Sequence, residues 1–84
     1  MVRQMTAREC VANLILELCQ ERGLAVHALA RSAGVSPSTV KSILNGASKN
    51  PGIVTVKMLC DGLNISLTEF FDTDDFRNLE QEMR

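Results

Sequence analysis

The sequence contains neither tryptophan nor tyrosine, and its only aromatic residues are Phe70, Phe71 and Phe76. Any core formed by these 84 residues must therefore be mainly aliphatic. The sequence also lacks a hydrophobic run of about 20 residues, the length that a membrane-spanning helix needs. Its first residues carry no apolar leader, so we expect neither a signal peptide nor a membrane association.

Cysteine and histidine are scarce. The three cysteines, Cys10, Cys19 and Cys60, form no C-x-x-C pair, and their odd number is atypical of a secreted disulfide framework. The single histidine, His27, indicates neither a zinc site nor a nucleophile–base pair. We expect the cysteines to be small buried hydrophobes in a reducing cytoplasm, since no activating neighbour favours the alternative of a redox-sensing thiol. The chain is therefore predicted to be a non-enzymatic cytoplasmic protein without cofactor or metal.

Acidic residues are absent from the middle of the chain. Between Arg22 and Lys57 there are five basic and no acidic residues, whereas seven acidic and two basic residues lie between Asp61 and the last residue. The net charge of −1 therefore conceals a positive central segment. Binding of a polyanion depends on such local fields rather than on the total charge. An ordinary solvated face is the alternative interpretation, and charge alone does not decide between them.

Helical periodicity and capping residues predict a domain of short α-helices without strands. Thr6 and Glu9 form a T-x-x-E capping box that begins the first helix, and Gly23 is suited to end it. Leu16 falls off the apolar face of this helix, where it is either half-buried or part of a partner surface. Further helices are predicted at about 26–33, 37–45, 53–63 and 67–71, the last one from a second capping box at Ser66 and Glu69.

Residues 1–71 are predicted to form one domain, and residues 72–84 an acidic extension in which a further helical turn or two is possible. The helix at 53–63 is expected to bury Ile53 and the apolar residues that follow it at helical spacing, which are Val56, Leu59, Cys60 and Leu63. A core this small is marginal alone, and dimerisation is a common source of additional burial. The candidates for a dimer surface are Phe71, Phe76, Leu79 and Met83, with a core role as the alternative for Phe70 and Phe71.

A helix-turn-helix is predicted at about 26–45. Ala30 is small enough to let two helices cross closely, and Gly34 accepts the positive φ that a sharp turn needs. In the second helix Val40 and Ile43 face inward, so its small hydroxyl side chains face outward. Each of these signals is weak alone, but together and in register they are specific.

This pattern resembles the Cro/C1-type (XRE) helix-turn-helix family of bacterial and phage regulators. The resemblance extends from about residue 11 to residue 71 and includes Asn50-Pro51 and Leu63-Asn64-Ile65-Ser66-Leu67. It implies an all-α fold, a compact five-helix lambda-repressor-like DNA-binding domain. It also implies a sequence-specific transcriptional regulator, a repressor-like homodimer that reads the major groove with the helix starting near Ser36.

The resemblance assigns the start and outer face of that helix to DNA. Ser36 is expected to be its N-cap and Pro37 its first residue. Polar side chains there can bond base edges, while contacts to the sugar-phosphate backbone position the protein without reading sequence. The base-edge candidates are Ser38, Thr39, Lys41 and Ser42. The backbone candidates are His27, Ser36, Pro37, Asn45, Lys49 and Asn50.

Two departures from the family pattern weaken this DNA surface. Where family members often place a phosphate-binding glutamine, this chain has Val26. The recognition helix also lacks Arg, Gln and Asn in its first two turns, so the strongest bidentate base contacts are missing. The alternative function is therefore an antitoxin-like or adaptor module for protein interaction, with weak or no DNA binding. The expected partners are double-stranded DNA, a second copy of the chain and, in the alternative, another protein.

Overall fold

The computed structural model describes residues 5–79, and within that range every regular element is a helix. The all-α class predicted from the sequence is confirmed. The described residues form one helix more than the five expected, because the Thr73 side chain accepts a hydrogen bond from the Phe76 N–H and starts a four-residue helix in the acidic extension. None of these helices is both long and apolar enough to cross a bilayer. They are α1 (Ala7–Glu21), α2 (Val26–Ala33), α3 (Pro37–Asn45), α4 (Ile53–Leu63), α5 (Leu67–Phe71) and α6 (Asp74–Arg77).

Reciprocal capping fixes the starts of α1 and α5. The Thr6 hydroxyl accepts from the Glu9 N–H at 3.2 Å, and the Glu9 carboxylate accepts from the Thr6 N–H at 2.9 Å. Ser66 and Glu69 repeat this arrangement at α5. Asn64 ends α4 in the left-handed conformation, at φ 60°. These boundaries agree with the sequence because each depends on residues only three or four positions apart.

The core lies where α1, α2, α3 and α4 meet, and α5 closes it with Phe70. The three cysteines are buried and carry free thiols, as expected of small hydrophobes. The core cluster comprises Val11, Ile15, Cys19, Leu29, Ala30, Val35, Val40, Ile43, Val56, Leu59, Cys60, Leu63 and Phe70.

The prediction that Ile53 is buried is wrong. Ile53 is 61% exposed and its neighbour Val54 is 70% exposed, whereas Val56 is 3% exposed. All three lie near the start of α4, but α2 packs on the far half of that helix, where Gly62 lies against Ala33. Helical spacing reports which face of a helix is apolar, not how far along it the neighbouring helix reaches.

The helices α2 and α4 cross closely, and this crossing anchors the helix-turn-helix to the body. A Cβ atom added at Gly62 would lie 3.0 Å from Leu29 Cδ1 and 3.1 Å from Ala33 Cβ. The following turn depends on Gly34, which has φ 73°. The middle and the C-terminal end of α2 are thereby fixed relative to the core.

The acidic extension packs on the body through its aromatic residue. The Phe76 ring lies 4.8 Å from Phe71 and 6.0 Å from Phe70, centroid to centroid. Hydrogen bonds to Asp74 and Asp72 raise the pKa of the Arg77 guanidinium and offset part of the local negative charge. The division of the chain at residue 71 stays a prediction.

Candidate nucleic-acid interface

The turn between α2 and α3 determines which face of α3 is presented. After Gly34, the Val35 N–H donates to the Ala30 carbonyl at 2.9 Å, and Val35 itself is buried. In α3, Val40 and Ile43 are 0% and 1% exposed. Because these two side chains fix the inner face, the opposite face of α3 is turned to solvent.

The outward face carries the residues assigned to base reading. Ser42 is half-buried, and its hydroxyl is therefore less accessible than the others. Among the described residues, the acidic helix α6 packs against α1 rather than in front of this face. The other three base-edge candidates, Ser38, Thr39 and Lys41, are exposed, as are the backbone candidates of this helix and its cap, Ser36, Pro37 and Asn45.

A concavity of about 460 Å³ joins the start of α2 to the outer face of α3. It brings residues from two helices to one surface, although they lie ten or more positions apart in sequence. Its lining combines Lys41 with apolar side chains, and within residues 5–79 no acidic residue lines it. The lining residues are Val26, His27, Pro37, Lys41, Leu44 and Asn45.

Ser36 is the N-cap of α3 by position, but its side chain does not cap the helix. The Ser36 hydroxyl lies 2.8 Å from the Ser38 hydroxyl instead. The Ser36 carbonyl accepts from the Thr39 N–H at 2.9 Å and from the Val40 N–H at 3.2 Å. The predicted side-chain cap is therefore wrong, because a nearby hydroxyl competes for the capping oxygen. One hydroxyl proton of the pair is left for an outside acceptor.

The end of α3 is closed by the loop that follows it. The Asn45 side-chain carbonyl accepts from the Ala47 N–H at 2.9 Å, and the Ser48 N–H donates to the Ser42 carbonyl at 2.9 Å. The Asn45 amide group keeps its donors for another partner. Lys49 and Asn50, which follow this turn, are exposed.

Arg8 is a residue of this region that the sequence analysis missed. From the first turn of α1 its Nη1 donates to the Ile43 carbonyl at 3.1 Å, and its guanidinium lies over Gly46. Since α3 has no basic residue in its last turn, Arg8 supplies the positive charge that favours a helix C-terminus. The contact spans 35 residues, so no local spacing reports it. The one signal is a positive charge in the first turn of α1, where the helix dipole disfavours it.

A second concavity, of about 680 Å³, lies beside the loop between α3 and α4. Lys49, Asn50 and Arg8 line it together with Ile53, Phe71 and Phe76. Two of the six predicted backbone contacts and two of the four predicted dimer residues thus border the same depression.

The four dimer candidates differ in accessibility. Phe71 is 36% exposed, while Phe76 and Leu79 are half-buried. Met83 lies outside the described residues. In residues 5–79, no group of three or more His, Cys, Asp or Glu side chains is placed to hold a metal ion.

Comparison with known proteins gives the same architecture. The profile of the Helix-turn-helix (HTH_3) family matches residues 15–70. The crystal structure of the prophage Lp1 protein 11 is 34% identical, with a TM-score of 0.78, and the alignment covers 88% of this chain and 97% of that one. An HTH_3 family transcriptional regulator from Vibrio cholerae is also 34% identical, with a TM-score of 0.72 over 81% of this chain but 38% of its own. No curated protein sequence matches significantly.

Proposed function

This chain belongs to the Helix-turn-helix (HTH_3) family of Cro/C1-type regulators, and on that basis we propose that it is a sequence-specific transcriptional regulator that reads DNA with α3. The observation that carries the proposal is the outward, acid-free face of α3, held in place by the burial of Val40 and Ile43. A regulator of this kind acts beside the chromosome, so the proposal places it in the cytoplasm.

In this proposal, short side chains make most of the contacts with the base edges. Ser38 and Thr39 can exchange hydrogen bonds with base edges, and Lys41 can reach a guanine edge or a phosphate. Hydroxyl groups project little beyond the helix surface, so α3 must lie deep in the major groove for these contacts to form. Pro37 and the small residues around it permit that approach because no long side chain precedes them. Ser42 contributes through the exposed part of its side chain.

Backbone contacts hold α3 in the groove from both sides. Three of the backbone candidates are exposed and flank the recognition helix in sequence. His27 precedes it, at the start of α2, and Lys49 and Asn50 follow it. Such contacts set the depth and angle of docking rather than the sequence read. They also make the affinity depend on salt, because each neutralised phosphate releases counterions.

The working unit is a repressor-like homodimer that blocks a promoter by occupying its operator. One α3 helix offers no arginine or glutamine for bidentate base contacts, so a single subunit binds modestly. Two subunits place their recognition helices in successive major grooves, about 34–36 Å apart. The operator is then an inverted repeat.

Selection of bound DNA from a random pool tests this function. We expect an enriched inverted repeat with half-site centres about one helical turn apart. The Ser38→Ala/Ser42→Ala double variant should lose the preference for that repeat by about tenfold or more, since each lost base contact is worth roughly 1 kcal/mol or more. Ser32→Ala, an exposed serine of α2, is the matched control. A pool without enrichment, or a double variant with unchanged preference, contradicts the proposal.

An antitoxin-like or adaptor function is the second candidate. It is favoured by Leu16, which is 42% exposed on α1 and has no role in the DNA surface. Co-purification of a stable protein partner that requires Leu16, with no shift of any DNA, would support it. Salt-dependent binding to selected DNA would instead support the regulator.

A further inference from the structure

We propose that the concavity of about 680 Å³ beside the loop between α3 and α4, here named the loop concavity, binds a small organic anion with an apolar body. Occupancy of this site weakens the binding of DNA. The effect on DNA rests on the proposed function, whereas the site itself is defined by its lining residues without reference to DNA.

The loop concavity offers apolar and aromatic surface to a ligand. Its lining includes Val11 and Val56, which are 7% and 3% exposed, and Ile53, which is 61% exposed. The rings of Phe71 and Phe76, which also line it, lie 4.8 Å apart, centroid to centroid, at an interplanar angle of 66°. Pockets for small molecules measure about 300–1,000 Å³ and are lined mainly by apolar and aromatic side chains. The loop concavity therefore suits an apolar body such as a pair of fused aromatic rings.

Positive charge borders this apolar surface. Arg8 and Lys49 line the concavity, and within residues 5–79 neither forms an ion pair. The acidic residue among the described lining residues is Glu9, whose carboxylate accepts from the Thr6 N–H at 2.9 Å as part of the α1 cap. Two cations and one carboxylate leave the lining with a net positive charge. A carboxylate or sulfonate attached to an apolar body is complementary to both parts of the lining.

Arg8 is held in place before a ligand arrives. Its Nη1 donates to the Ile43 carbonyl at 3.1 Å, and its guanidinium lies 3.7 Å from a Cβ atom added at Gly46, which also lines the concavity. A guanidinium has five N–H donors, so Nη2 and Nε keep donors for a carboxylate or sulfonate. Because the side chain is already ordered, little conformational entropy is lost when an anion binds to it.

The DNA backbone accounts for only part of this lining. A phosphate group can pair with Lys49, but phosphates offer no apolar surface to Phe71, Phe76 or Ile53. A ligand that carries both an acid and an apolar body satisfies the cations and the rings together.

Binding of such an anion opposes DNA binding through two residues. Lys49 is a predicted contact to the DNA backbone, and an anion paired with it removes that charge from a phosphate. Arg8 holds the end of α3 through the Ile43 carbonyl, so an anion on its guanidinium adds negative charge next to the proposed DNA surface. Ligand and DNA therefore weaken each other's binding by the same factor, because such coupling is reciprocal.

The first test uses a fluorescent anion of this shape, anilinonaphthalene sulfonate, without DNA. N-phenylnaphthylamine, which has the same aromatic body without the sulfonate, is the neutral control. We expect one sulfonate bound per chain, with an affinity about tenfold above that of the neutral probe. Lys49→Met should weaken the sulfonate about threefold or more and leave the neutral probe unchanged. Lys57→Met, at an exposed lysine of α4 outside the concavity, should change neither.

The second test separates the concavity from exposed apolar surface in general. Ile53 lines the concavity, while its neighbour Val54 is more exposed and does not. Ile53→Ser should weaken both probes about threefold or more, because it removes apolar lining. Val54→Ser should change neither. Both side chains are exposed, and a cooperative thermal transition of each variant shows that it folds.

Four results overturn the site. A wild-type chain that binds neither probe does not have it. Equal losses in Ile53→Ser and Val54→Ser would mean that the probes bind exposed apolar surface, including any interface between two copies. Equal losses in Lys49→Met and Lys57→Met would mean diffuse attraction by charge. Cosedimentation of the chain with phosphatidylglycerol vesicles would mean that a membrane lipid, and not a free molecule, supplies the anion.

The effect on DNA is measured by titrating the selected operator with and without a saturating concentration of the sulfonate probe. We expect the operator to bind about threefold or more weakly when the sulfonate is present, and unchanged binding with the neutral probe. Unchanged operator affinity with the sulfonate bound overturns the coupling to DNA. A chain that binds the sulfonate but no DNA refutes the proposed function and supports the loop concavity as a ligand site.

Discussion

Short side chains govern how the proposed DNA surface works. Ser38 and Thr39 offer donors and acceptors but little reach, and the Ser36 hydroxyl is already shared with Ser38 at 2.8 Å. A longer residue at these positions would gain reach but hold the helix backbone farther from the bases. In the proposed complex, specificity therefore depends on how accurately α3 is held, which makes the residues behind it important.

Arg8 is the clearest of these supporting residues. Arg8→Met removes the bond to the Ile43 carbonyl and leaves the end of α3 without its cation. We expect a loss of about 1–2 kcal/mol in the free energy of unfolding, measured by urea titration. We also expect weaker binding to the selected operator. Arg8→Lys should lose less stability and less operator affinity than Arg8→Met, because it keeps the positive charge.

The control for Arg8 is Arg22→Met, which removes an exposed guanidinium at the end of α1 and should change stability by less than about 0.5 kcal/mol. Equal effects of the two substitutions would show that loss of charge alone, and not the contact with α3, is being measured.

The buried thiols predict a loss of stability in alkaline solution. Burial raises the pKa of Cys10, Cys19 and Cys60, and for Cys10 the nearby Asp75 and Glu9 carboxylates raise it further. In the unfolded chain a thiol ionises near its ordinary pKa of about 8.5. Above that pH the unfolded state releases protons that the folded state retains, so the free energy of unfolding falls as pH rises.

The free energy of unfolding should fall by at most about 1.4 kcal/mol per pH unit for each thiol between about pH 8.5 and 10. Below the ordinary thiol pKa the thiols should add no pH dependence, because they are protonated in both states. Urea unfolding across this range measures it, and the absence of tyrosine removes one competing titration. Cys60→Ala should flatten the slope. An identical pH profile for that variant would disprove the contribution of this thiol.

At the scale of elements, the close approach of α2 and α4 supports the position of the helix-turn-helix. Gly62→Ala places a methyl group 3.0 Å from Leu29 Cδ1 and 3.1 Å from Ala33 Cβ. Overpacking costs about 1–3 kcal/mol, and the better helix propensity of alanine returns at most about 1 kcal/mol. We expect a net destabilisation of roughly 1 kcal/mol, measured by thermal or urea unfolding.

Gly52→Ala is the matched control for Gly62→Ala, because no atom lies within 4 Å of a Cβ added there. It should change stability by less than about 0.5 kcal/mol. A Gly62→Ala variant that is as stable as the wild type would mean that α2 and α4 can separate without cost, and that their crossing does not hold the motif.

The elements also show which features a sequence can predict. Four features were predicted because each follows from residues only a few positions apart: the capping boxes at Thr6 and Ser66, the turn at Gly34 and the inner face of α3. The exposure of Ile53 was not predicted, because it depends on where α2 ends against α4. The contact of Arg8 with Ile43 joins positions 35 apart. The Ser36 cap failed because an equally local partner, Ser38, competes for the same hydroxyl.

In the whole molecule, opposite charges are segregated. The acid-free central segment contains α2 and α3, while α5, α6 and the connection between them carry the acidic residues of the described C-terminal part. Lys57 pairs with Asp61 at the boundary and so contributes less to the positive field than Lys41 and Lys49. In the proposed function this separation favours the approach of a polyanion to the α3 face despite a net charge of −1.

The most direct measurement of the central claim is a titration of the wild type and the Ser38→Ala/Ser42→Ala variant against selected and scrambled operator at several salt concentrations. We expect the binding of both proteins to fall steeply between about 50 and 200 mM salt, because the backbone contacts remain. We also expect only the wild type to distinguish the two DNAs. Binding of wild type that is absent at every salt concentration, or a variant that discriminates as well as the wild type, would contradict the assignment of α3 as the helix that reads DNA.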